Sequence, residues 1–258
     1  MQNIDKLFIN GRWVKSQSTE SIALVNPSNE TVIGNVIAAN EDDVNIAVAA
    51  ARKAFPKWSA VSSTQRSAII KNIAKGMEKR KAELAQAIST TMGCPEHIAS
   101  WLQVEDSIYA MALFSEQPDI TEKEVQGNKC IIVKESIGVC AFINPWNFPL
   151  HQFVGKVGAA LAAGCTMVVK PAEQTPLQDY IMAEILADCD LPDGVFNLVF
   201  GTGQVVGNAL TSHPDVDMVS FTGSTQAGIK VAQSAAATVK RVTQELGGKS
   251  PLIITEEA

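Results

Sequence analysis

The sequence predicts an α/β protein in which a doubly wound parallel sheet follows a segment of helices and short strands. From Gly138 onward, five short apolar runs alternate with helical patterns. Nearly continuous apolar strands are typical of a parallel sheet whose two faces are covered by helices. Before residue 137 the pattern differs, because short β-rich runs and three amphipathic helices precede a polar hairpin.

The composition is typical of a globular protein. The 258 residues are 46% hydrophobic and 19% charged, which separates the chain from disordered sequences. The net charge of −6 argues against a nucleic-acid partner, because nucleic-acid binders usually present a basic face. The longest nearly apolar run, Val157 to Val169, is too short to cross a bilayer, so we expect no membrane segment.

The first part of the chain predicts short strands and then three helices. The turn pair Asn10-Gly11 between two β-rich runs indicates a hairpin. Apolar residues at three- and four-residue spacing after Asn40, a residue type favoured as a helix cap, indicate the first helix. The predicted elements are the strands Lys6 to Ile9, Arg12 to Lys15, Ile22 to Val25 and Thr31 to Ala38, and the helices Val44 to Phe55, Thr64 to Thr90 and Pro95 to Ser115.

A protruding β-hairpin is predicted over Ile120 to Glu135, with Gly127-Asn128 as its turn. Such an arm is marginal alone and usually needs a sheet or a partner chain. The alternating elements that follow it are the strands Gly138 to Ile143, Thr166 to Lys170, Val195 to Phe200, Asp217 to Phe221 and Arg241 to Glu245, and the helices Phe148 to Ala163, Pro176 to Cys189, Gln204 to Leu210 and Ser224 to Ala237.

Each of the five predicted parallel strands ends in polar or glycine-rich residues. Ligands of a doubly wound sheet bind at the carboxyl ends of its strands, so these segments are expected to form one nucleotide site. The segments are Asn144 to Pro149, Lys170 to Glu173, Gly201 to Gly203, Thr222 to Ser224 and Glu245 to Gly248.

Two of these segments indicate contacts to a nucleotide. Gly223 followed by Ser224 would let a phosphate approach the amide groups at a helix N-terminus, although Ser224 could equally serve as a helix cap. The spacing from Gly223 to Gly228 is not the usual GxGxxG. Glu173 could accept hydrogen bonds from both ribose hydroxyls and would repel a 2′-phosphate, whereas the alternative for Lys170 and Glu173 is a surface ion pair.

Two further residues indicate catalysis. The Asn147 side chain offers an amide donor that suits an oxyanion, while the alternative is a residue that merely forms a turn. Glu245 is a single carboxylate at the end of an apolar strand, where burial would raise its pKa toward that of a general base. The alternative for Glu245 is an exposed acid at a strand end.

Taken together, these strings resemble the NAD(P)-dependent aldehyde dehydrogenase superfamily, in the order and spacing of that family. The resemblance extends to the N-terminal part through Asn10 to Trp13 and Asn26-Pro27. The strings that carry it are Phe142 to Pro149, Lys170 to Pro176, Phe221 to Thr225 with Gly228, and Glu245 to Pro251.

The resemblance implies a role for each matching residue. Asn147 would stabilise the oxyanion formed when a thiolate attacks an aldehyde, and Glu245 would activate the water that hydrolyses the thioester. The cofactor would be NAD, with NADP possible. The residues implied to hold it are Lys170 and Glu173 at the adenine ribose, Gly203 beside the adenine, Gly223 and Ser224 at the diphosphate, Gly228 behind them, and Ile143, Pro145 and Trp146 along the wall.

The chain departs from the family in one respect. In that family a cysteine nucleophile lies tens of residues past the Glu-Leu-Gly-Gly motif, and none of the five cysteines has that setting. We therefore expect 1–119 to be the N-terminal part of a cofactor-binding domain, 120–136 a bridging hairpin and 137–258 a Rossmann-like core. This half would lack the catalytic thiol and be inactive alone. The alternative is a truncated product that serves as a non-catalytic NAD-binding or assembly module.

The remaining expectations concern partners, metals and location. The 120–135 hairpin is similar to the arm that joins subunits in the family, which implies a homo-oligomer, and the substrate of the complete enzyme would be an aldehyde. Scattered cysteines without a CxxC pair favour reduced thiols and a cytoplasmic location. The three histidines, His97, His151 and His213, lack the spacing of metal ligands, so no metal is expected.

Overall fold

The computed structural model describes residues 2–116, 125–127 and 130–256. Its strands are β1 (Gln2–Ile4), β2 (Lys6–Ile9), β3 (Arg12–Lys15), β4 (Ser21–Asn26), β5 (Thr31–Ile37), β6 (Val125–Gly127), β7 (Cys130–Ile132), β8 (Val139–Ile143), β9 (Thr166–Lys170), β10 (Phe196–Leu198), β11 (Met218–Thr222) and β12 (Arg241–Glu245). Its α-helices are α1 (Glu41–Ser59), α2 (Ser63–Lys79), α3 (Lys81–Met92), α4 (Glu96–Ile98), α5 (Asp106–Ser115), α6 (Pro149–Ala162), α7 (Leu177–Ala187), α8 (Asn208–Ser212) and α9 (Thr225–Ala235).

A seven-stranded sheet organises these elements, in the order β12-β11-β8-β9-β10-β2-β3. The five strands from β12 to β10 are parallel, which confirms the predicted doubly wound sheet. The N-terminal hairpin β2–β3 extends this sheet, because β2 pairs antiparallel with β10 through Phe8 and Leu198. Sequence patterns did not predict that addition, since the two strands lie far apart in the chain.

The central strands β8 and β9 are buried along their whole length, as their apolar sequences predicted. Helix α1 packs on β8, β9 and β10, helix α6 packs on β9, and helix α7 packs on β10. The predicted cap of α1 is confirmed, because Asn40 Oδ1 accepts a hydrogen bond from the Asp43 amide and the Asp43 side chain accepts one from the Asn40 amide. Buried apolar residues of both parts of the chain, from Ile4 to Phe221, form one cluster.

The single helix predicted over Thr64 to Thr90 was wrong, since the structure divides it at Arg80 into α2 and α3. No proline or glycine at the break signals it in the sequence. The Arg80 guanidinium pairs with Glu83 and with Glu184 of α7, both at 2.7 Å, so a long-range ion pair accompanies the break.

A second, smaller sheet has the order β1-β5-β4. Strand β1, which the sequence did not predict, pairs parallel with β5. The hairpin predicted over 120–135 lies partly outside the described residues, and its predicted turn residue Asn128 is among those outside. The described portion pairs β6 with β7 in antiparallel fashion. In the part of the chain that the structure covers, no helix has the length and apolar character required to cross a membrane.

Candidate cofactor site

The carboxyl ends of four parallel strands meet in one row at the edge of the sheet. The register pairs Ile143 of β8 with Lys170 of β9 and with Phe221 of β11. On the other side of β11, Thr222 pairs with Glu245 of β12. Residues predicted from separate strand ends therefore lie side by side, as expected for ligand binding at this edge of a doubly wound sheet.

A cavity of about 720 Å³ opens beside this row. That volume lies within the range of small-molecule and cofactor sites. Four of the residues predicted to bind a cofactor line the cavity: Ile143, Glu173, Gly203 and Ser224. The rest of its wall consists of Thr202, Gln204, Gly207, Asn208, Phe221, Gln226, Ala227, Lys230 and Val231.

The ammonium group of Lys170 is buried and holds the loops around the cavity. Its Nζ donates to the carbonyls of Pro171 at 2.5 Å and Gly201 at 2.9 Å, and to Glu173 Oε2 at 3.1 Å. Burial lowers the pKa of Lys170, and the Glu173 carboxylate opposes that shift. Lys170 is 2% exposed, so the pair is not the surface ion pair considered as an alternative. All three ammonium donors are engaged, and only Glu173 of the pair faces the cavity.

Gly203 leaves open space on the wall of the cavity. A Cβ added at Gly203 would meet no atom within 4 Å, so the space around this position is open. The turn that begins at Gly203 is capped by Thr202, whose Oγ1 accepts from the Val205 amide at 3.3 Å. The chain thus presents a side-chain-free surface next to the Glu173 carboxylate, on the same cavity wall.

The segment after β11 combines a glycine with a capped helix. Ser224 Oγ accepts from the Ala227 amide at 3.2 Å, so Ser224 caps α9, and it also lines the cavity. A Cβ at Gly223 would lie 2.6 Å from the Phe221 ring, and one at Gly228 would lie 2.5 Å from Leu246. Gly223 and Gly228 therefore allow close packing behind the cavity rather than lining it.

The residues after β8 are more exposed than those around Lys170. Pro145 is half-buried, Trp146 is 54% exposed and Asn147 is exposed. Pro145 and Trp146 are not among the residues that line the 720 Å³ cavity. The Asn147 carbonyl accepts a hydrogen bond from Gln103 Nε2 at 3.4 Å, which holds the turn between β8 and α6 against the neighbouring helical segment.

Glu245 is exposed at the end of the edge strand β12. The burial expected for a general base at this position is absent, because β12 has no strand on its outer side among the described residues. The described residues leave the Glu245 carboxylate exposed at its strand end, and its role as a general base stays a prediction. Its position opposite Thr222 nevertheless keeps the carboxylate in the row of strand ends.

The sequence analysis missed Lys156, a lysine that reaches this row from α6. Its Nζ donates to Asn144 Oδ1 and Thr222 Oγ1, both at 3.0 Å, and to Gln152 Oε1 at 3.3 Å. Burial lowers the pKa of Lys156 to about 8, while the charges of Asp179 and Glu245 oppose the shift. A lysine just before the apolar run that begins at Val157 was the available sequence signal.

Asp179, also missed, lies fully buried in the first turn of α7. Its Oδ2 accepts a hydrogen bond from Gln178 Nε2, and its Oδ1 has no partner among the described residues. Burial raises the pKa of Asp179 to about 8, against the opposing charges of Lys170 and Lys156. Titratable groups perturbed by burial thus cluster behind the strand ends.

No group of three or more potential metal ligands occurs in the described ranges.

The parallel sheet, the cavity at its carboxyl edge and the capped helix beside that cavity define a Rossmann-like α/β domain. The aldehyde dehydrogenase family model matches residues 13–258. The chain therefore belongs to the aldehyde dehydrogenase family.

Similar proteins cover the chain along nearly its whole length. A 3-succinoylsemialdehyde-pyridine dehydrogenase from a Pseudomonas species is 42% identical over 260 residues, covering 100% of this chain and 54% of that protein. A variant of aldehyde dehydrogenase C from Pseudomonas syringae, crystallised with NAD+ and octanal, matches with a TM-score of 0.94 and 47% identity, over 96% of this chain and 51% of that chain. An aldehyde dehydrogenase from Bacillus cereus in complex with NAD+ matches with a TM-score of 0.94 and 37% identity, over 98% and 53% of the respective chains. The chain spans about half the length of the relatives it matches.

Proposed function

We propose that this chain forms the NAD(P)-binding half of an enzyme that oxidises an aldehyde to a carboxylic acid. The observation that carries the proposal is the 720 Å³ cavity at the carboxyl edge of the parallel sheet, with Glu173, Gly203 and Ser224 in its wall. Family membership and the NAD+ complexes of two neighbours support the same cofactor. NAD+ supplies the acceptor for the hydride that leaves the aldehyde carbon.

The residues present fit the adenosine end of this cofactor. Glu173 offers a half-buried carboxylate for the ribose hydroxyls, and Gly203 leaves the adjoining wall free of a side chain. Lys170 contributes by holding Glu173 and the Gly201 carbonyl in place, since its three donors are already engaged. Ser224 and the first amides of α9 lie where a diphosphate would gain from the helix N-terminus.

The proposed wall beside the cofactor is Ile143, Pro145 and Trp146, with Gly223 and Gly228 supporting the diphosphate side. Ile143 lines the cavity directly, whereas Pro145 and Trp146 lie in the turn that follows it. Since that turn continues into Asn147, the same short segment would connect the cofactor wall with the reacting carbonyl.

We assign the catalytic work of this half to Asn147 and Glu245. The Asn147 side-chain amide would donate a hydrogen bond to the developing oxyanion, which favours the transition state over the substrate. Glu245 would accept a proton from the water that releases the acid product. Lys156 would hold the side chains of Asn144 and Thr222, which lie at the strand ends between Asn147 and Glu245. Its lowered pKa would also let this cation exchange a proton near neutral pH.

The attacking thiolate is not supplied by the described part of this chain. Cys94, Cys140, Cys165 and Cys189 are all buried, and none of them lines the cofactor cavity. Cys130 lies outside the residues whose side chains are described. We propose that the thiol lies in the part of the relatives that this chain does not span, so the 258 residues bind cofactor without completing the reaction.

A second candidate function is a non-catalytic NAD-binding or assembly module. The absence of a described cysteine at the cavity favours it, because binding needs only the residues already present.

In either case we propose that the 120–135 hairpin joins subunits of a homo-oligomer. We also keep a cytoplasmic location as part of the proposal, on the evidence of scattered cysteines without a CxxC pair.

An assay of NADH absorbance tests whether the chain binds NAD+ without catalysing the oxidation of an aldehyde. With octanal and NAD+, the chain alone should form no more NADH than a protein-free control, although it binds NAD+ in a separate titration. NADH formation that rises with chain concentration and disappears in Asn147→Ala would contradict the proposed inactivity. Absence of both activity and NAD+ binding would remove the enzymatic and the binding proposals together.

A further inference from the structure

Among the described residues that line the cofactor cavity, only two carry a charge. Glu173 follows β9, and Lys230 lies on α9. The other wall residues have apolar, amide or hydroxyl side chains or are glycines. One ligand in this cavity can therefore meet both an acceptor for its hydroxyl groups and a cation for an anionic group.

The two charged side chains differ in what they already contact. Glu173 Oε2 accepts a hydrogen bond from Lys170 Nζ at 3.1 Å, so its charge is partly compensated. Within the described ranges, the exposed Lys230 ammonium forms no ion pair, and no side-chain hydrogen bond engages it. The Lys230 cation therefore remains available to an anion that enters the cavity.

Lys230 lies further along α9 than the proposed diphosphate contact. Ser224 caps the helix, and Ala227, Lys230 and Val231 line the cavity at three- and four-residue spacing, which places them on one helix face. At 1.5 Å of rise per residue, Lys230 is about 9 Å from Ser224 along the helix axis. A dinucleotide whose diphosphate lies at the first amides of α9 would therefore bring its adenosine part toward Lys230.

The other lysine at this end of the cavity is already engaged. Lys170 is 2% exposed, and its ammonium donates to the carbonyls of Pro171 and Gly201 and to the Glu173 carboxylate. An ammonium group has three donors, so none remains for a ligand. An anionic group of the ligand would therefore find its cation at Lys230, which lines the cavity, rather than at Lys170, which does not.

We propose that Lys230 binds the 2′-phosphate of NADP+, so that the cavity accepts NADP+ as well as NAD+. This inference rests on the proposed function, because it concerns the same cofactor cavity. The Glu173 carboxylate accepts the ribose hydroxyls of NAD+ and repels a 2′-phosphate, whereas the Lys230 ammonium attracts that phosphate as a point charge. The two residues of opposite charge together set the ratio of the Kd values for the two cofactors.

The test is calorimetric titration with NAD+ and NADP+ of the unmodified chain and of Lys230→Met, which keeps an unbranched side chain and loses the charge. We expect the Kd for NADP+ to rise about tenfold, while the Kd for NAD+ changes less than about twofold. Lys230→Arg should retain NADP+ binding, because a guanidinium also pairs with phosphate. Lys71→Met is the matched control, since Lys71 is an exposed lysine of α2 outside the cavity, and it should change neither Kd.

Two further readouts separate a phosphate contact from a structural role of Lys230. Adding sodium chloride screens exposed charges, so it should weaken binding of NADP+ more than binding of NAD+, and Lys230→Met should reduce that difference. Adenosine 2′,5′-bisphosphate and adenosine 5′-monophosphate differ only in the 2′-phosphate. Lys230→Met should weaken binding of the bisphosphate more than binding of the monophosphate.

The outcomes distinguish this inference from the proposed function. Equal weakening of NAD+ and NADP+ by Lys230→Met would place the lysine at the diphosphate and overturn the inference. An unchanged Kd for NADP+ in that variant, or binding of NAD+ without NADP+ by the unmodified chain, would overturn it while leaving the proposed cofactor cavity intact. Failure of the unmodified chain to bind either cofactor would remove both.

Discussion

The carboxylate of Glu173 gives the sharpest prediction about cofactor choice. It lines the cofactor cavity, and its Oε2 accepts a hydrogen bond from Lys170 Nζ at 3.1 Å. In Glu173→Gln the side chain keeps its shape and loses its charge. We expect the Kd for NAD+ to rise, because the ribose hydroxyls lose a charged acceptor, while the Kd for NADP+ is unchanged or falls.

The magnitude follows from the structure. A hydrogen bond to a charged group contributes about 1.5–3 kcal/mol, which predicts a roughly 10- to 150-fold weaker complex with NAD+. For NADP+ the carboxylate would repel the 2′-phosphate. Glu173 is 31% exposed, so solvent screens that repulsion to about 1 kcal/mol, and its removal should strengthen NADP+ binding up to about fivefold.

Isothermal titration calorimetry with both cofactors is the assay, and Glu184→Gln is the matched control. Glu184 is 34% exposed and also forms an ion pair, with Arg80 at 2.7 Å, but it does not line the cofactor cavity. The control variant should bind both cofactors as the unmodified chain does. Equal weakening of NAD+ and NADP+ by Glu173→Gln, or equal effects of the two variants, would refute the assigned ribose contact.

Three further predictions concern stability and its dependence on pH. The pKa of Asp179, about 8, lies above its ordinary 3.8, so between these values the folded chain retains a proton that the unfolded chain loses. The free energy of unfolding therefore falls as pH rises from about 4 to 8. Asp179→Asn should abolish this fall and, in urea titrations at pH 8, be more stable than the unmodified chain by several kcal/mol. For Lys156 the change of stability with pH has the opposite sign, because its pKa of about 8 lies below the ordinary 10.5. Between these values the unfolded chain keeps a proton that the folded chain has lost, so the unmodified chain becomes more stable as pH rises. Lys156→Met should remove this rise between pH 8 and 10.5. Gly138→Ala should destabilise the chain by about 3 kcal/mol or more, because Gly138 has φ +128° and an added Cβ would lie 1.8 Å from Asp217 Oδ2. In the control Gly155→Ala the added Cβ meets no atom within 4 Å, so this variant should be neutral or stabilising. An unchanged pH profile in either charge variant, or equal urea midpoints for the two glycine variants, would contradict the respective argument.

The sequence predicted the row of strand ends because that property is local. Each parallel strand is a short apolar run that ends in polar or glycine residues, and parallel strands place those ends at one edge. Ile143, Lys170 and Glu245 could therefore be assigned to one site before their register was known. The cap at Asn40 was predictable for the same reason, since capping depends on residues three positions apart.

Contacts between distant segments could not be predicted in this way. The pattern around Lys156 indicates only that it lies on α6, and the contact with Thr222 depends on the packing of α6 beside β11. The break at Arg80 coincides with an ion pair to Glu184, more than a hundred positions further along the chain. The sequence also left open whether Glu245 is buried or exposed, because an apolar strand can lie at the centre or at the edge of a sheet.

The most direct test of the cofactor site is a calorimetric titration of the chain with NAD+, repeated with Gly203→Leu. The unmodified chain should show saturable heat for one site, and ADP-ribose should compete for that site. Gly203→Leu should abolish the heat, because its side chain would occupy open space on the cavity wall that it shares with Glu173. Gly155→Ala, at a position with no atom within 4 Å and outside that wall, should bind normally. No heat at millimolar NAD+, or full binding by Gly203→Leu, would contradict the location of a dinucleotide at the carboxyl edge of this sheet.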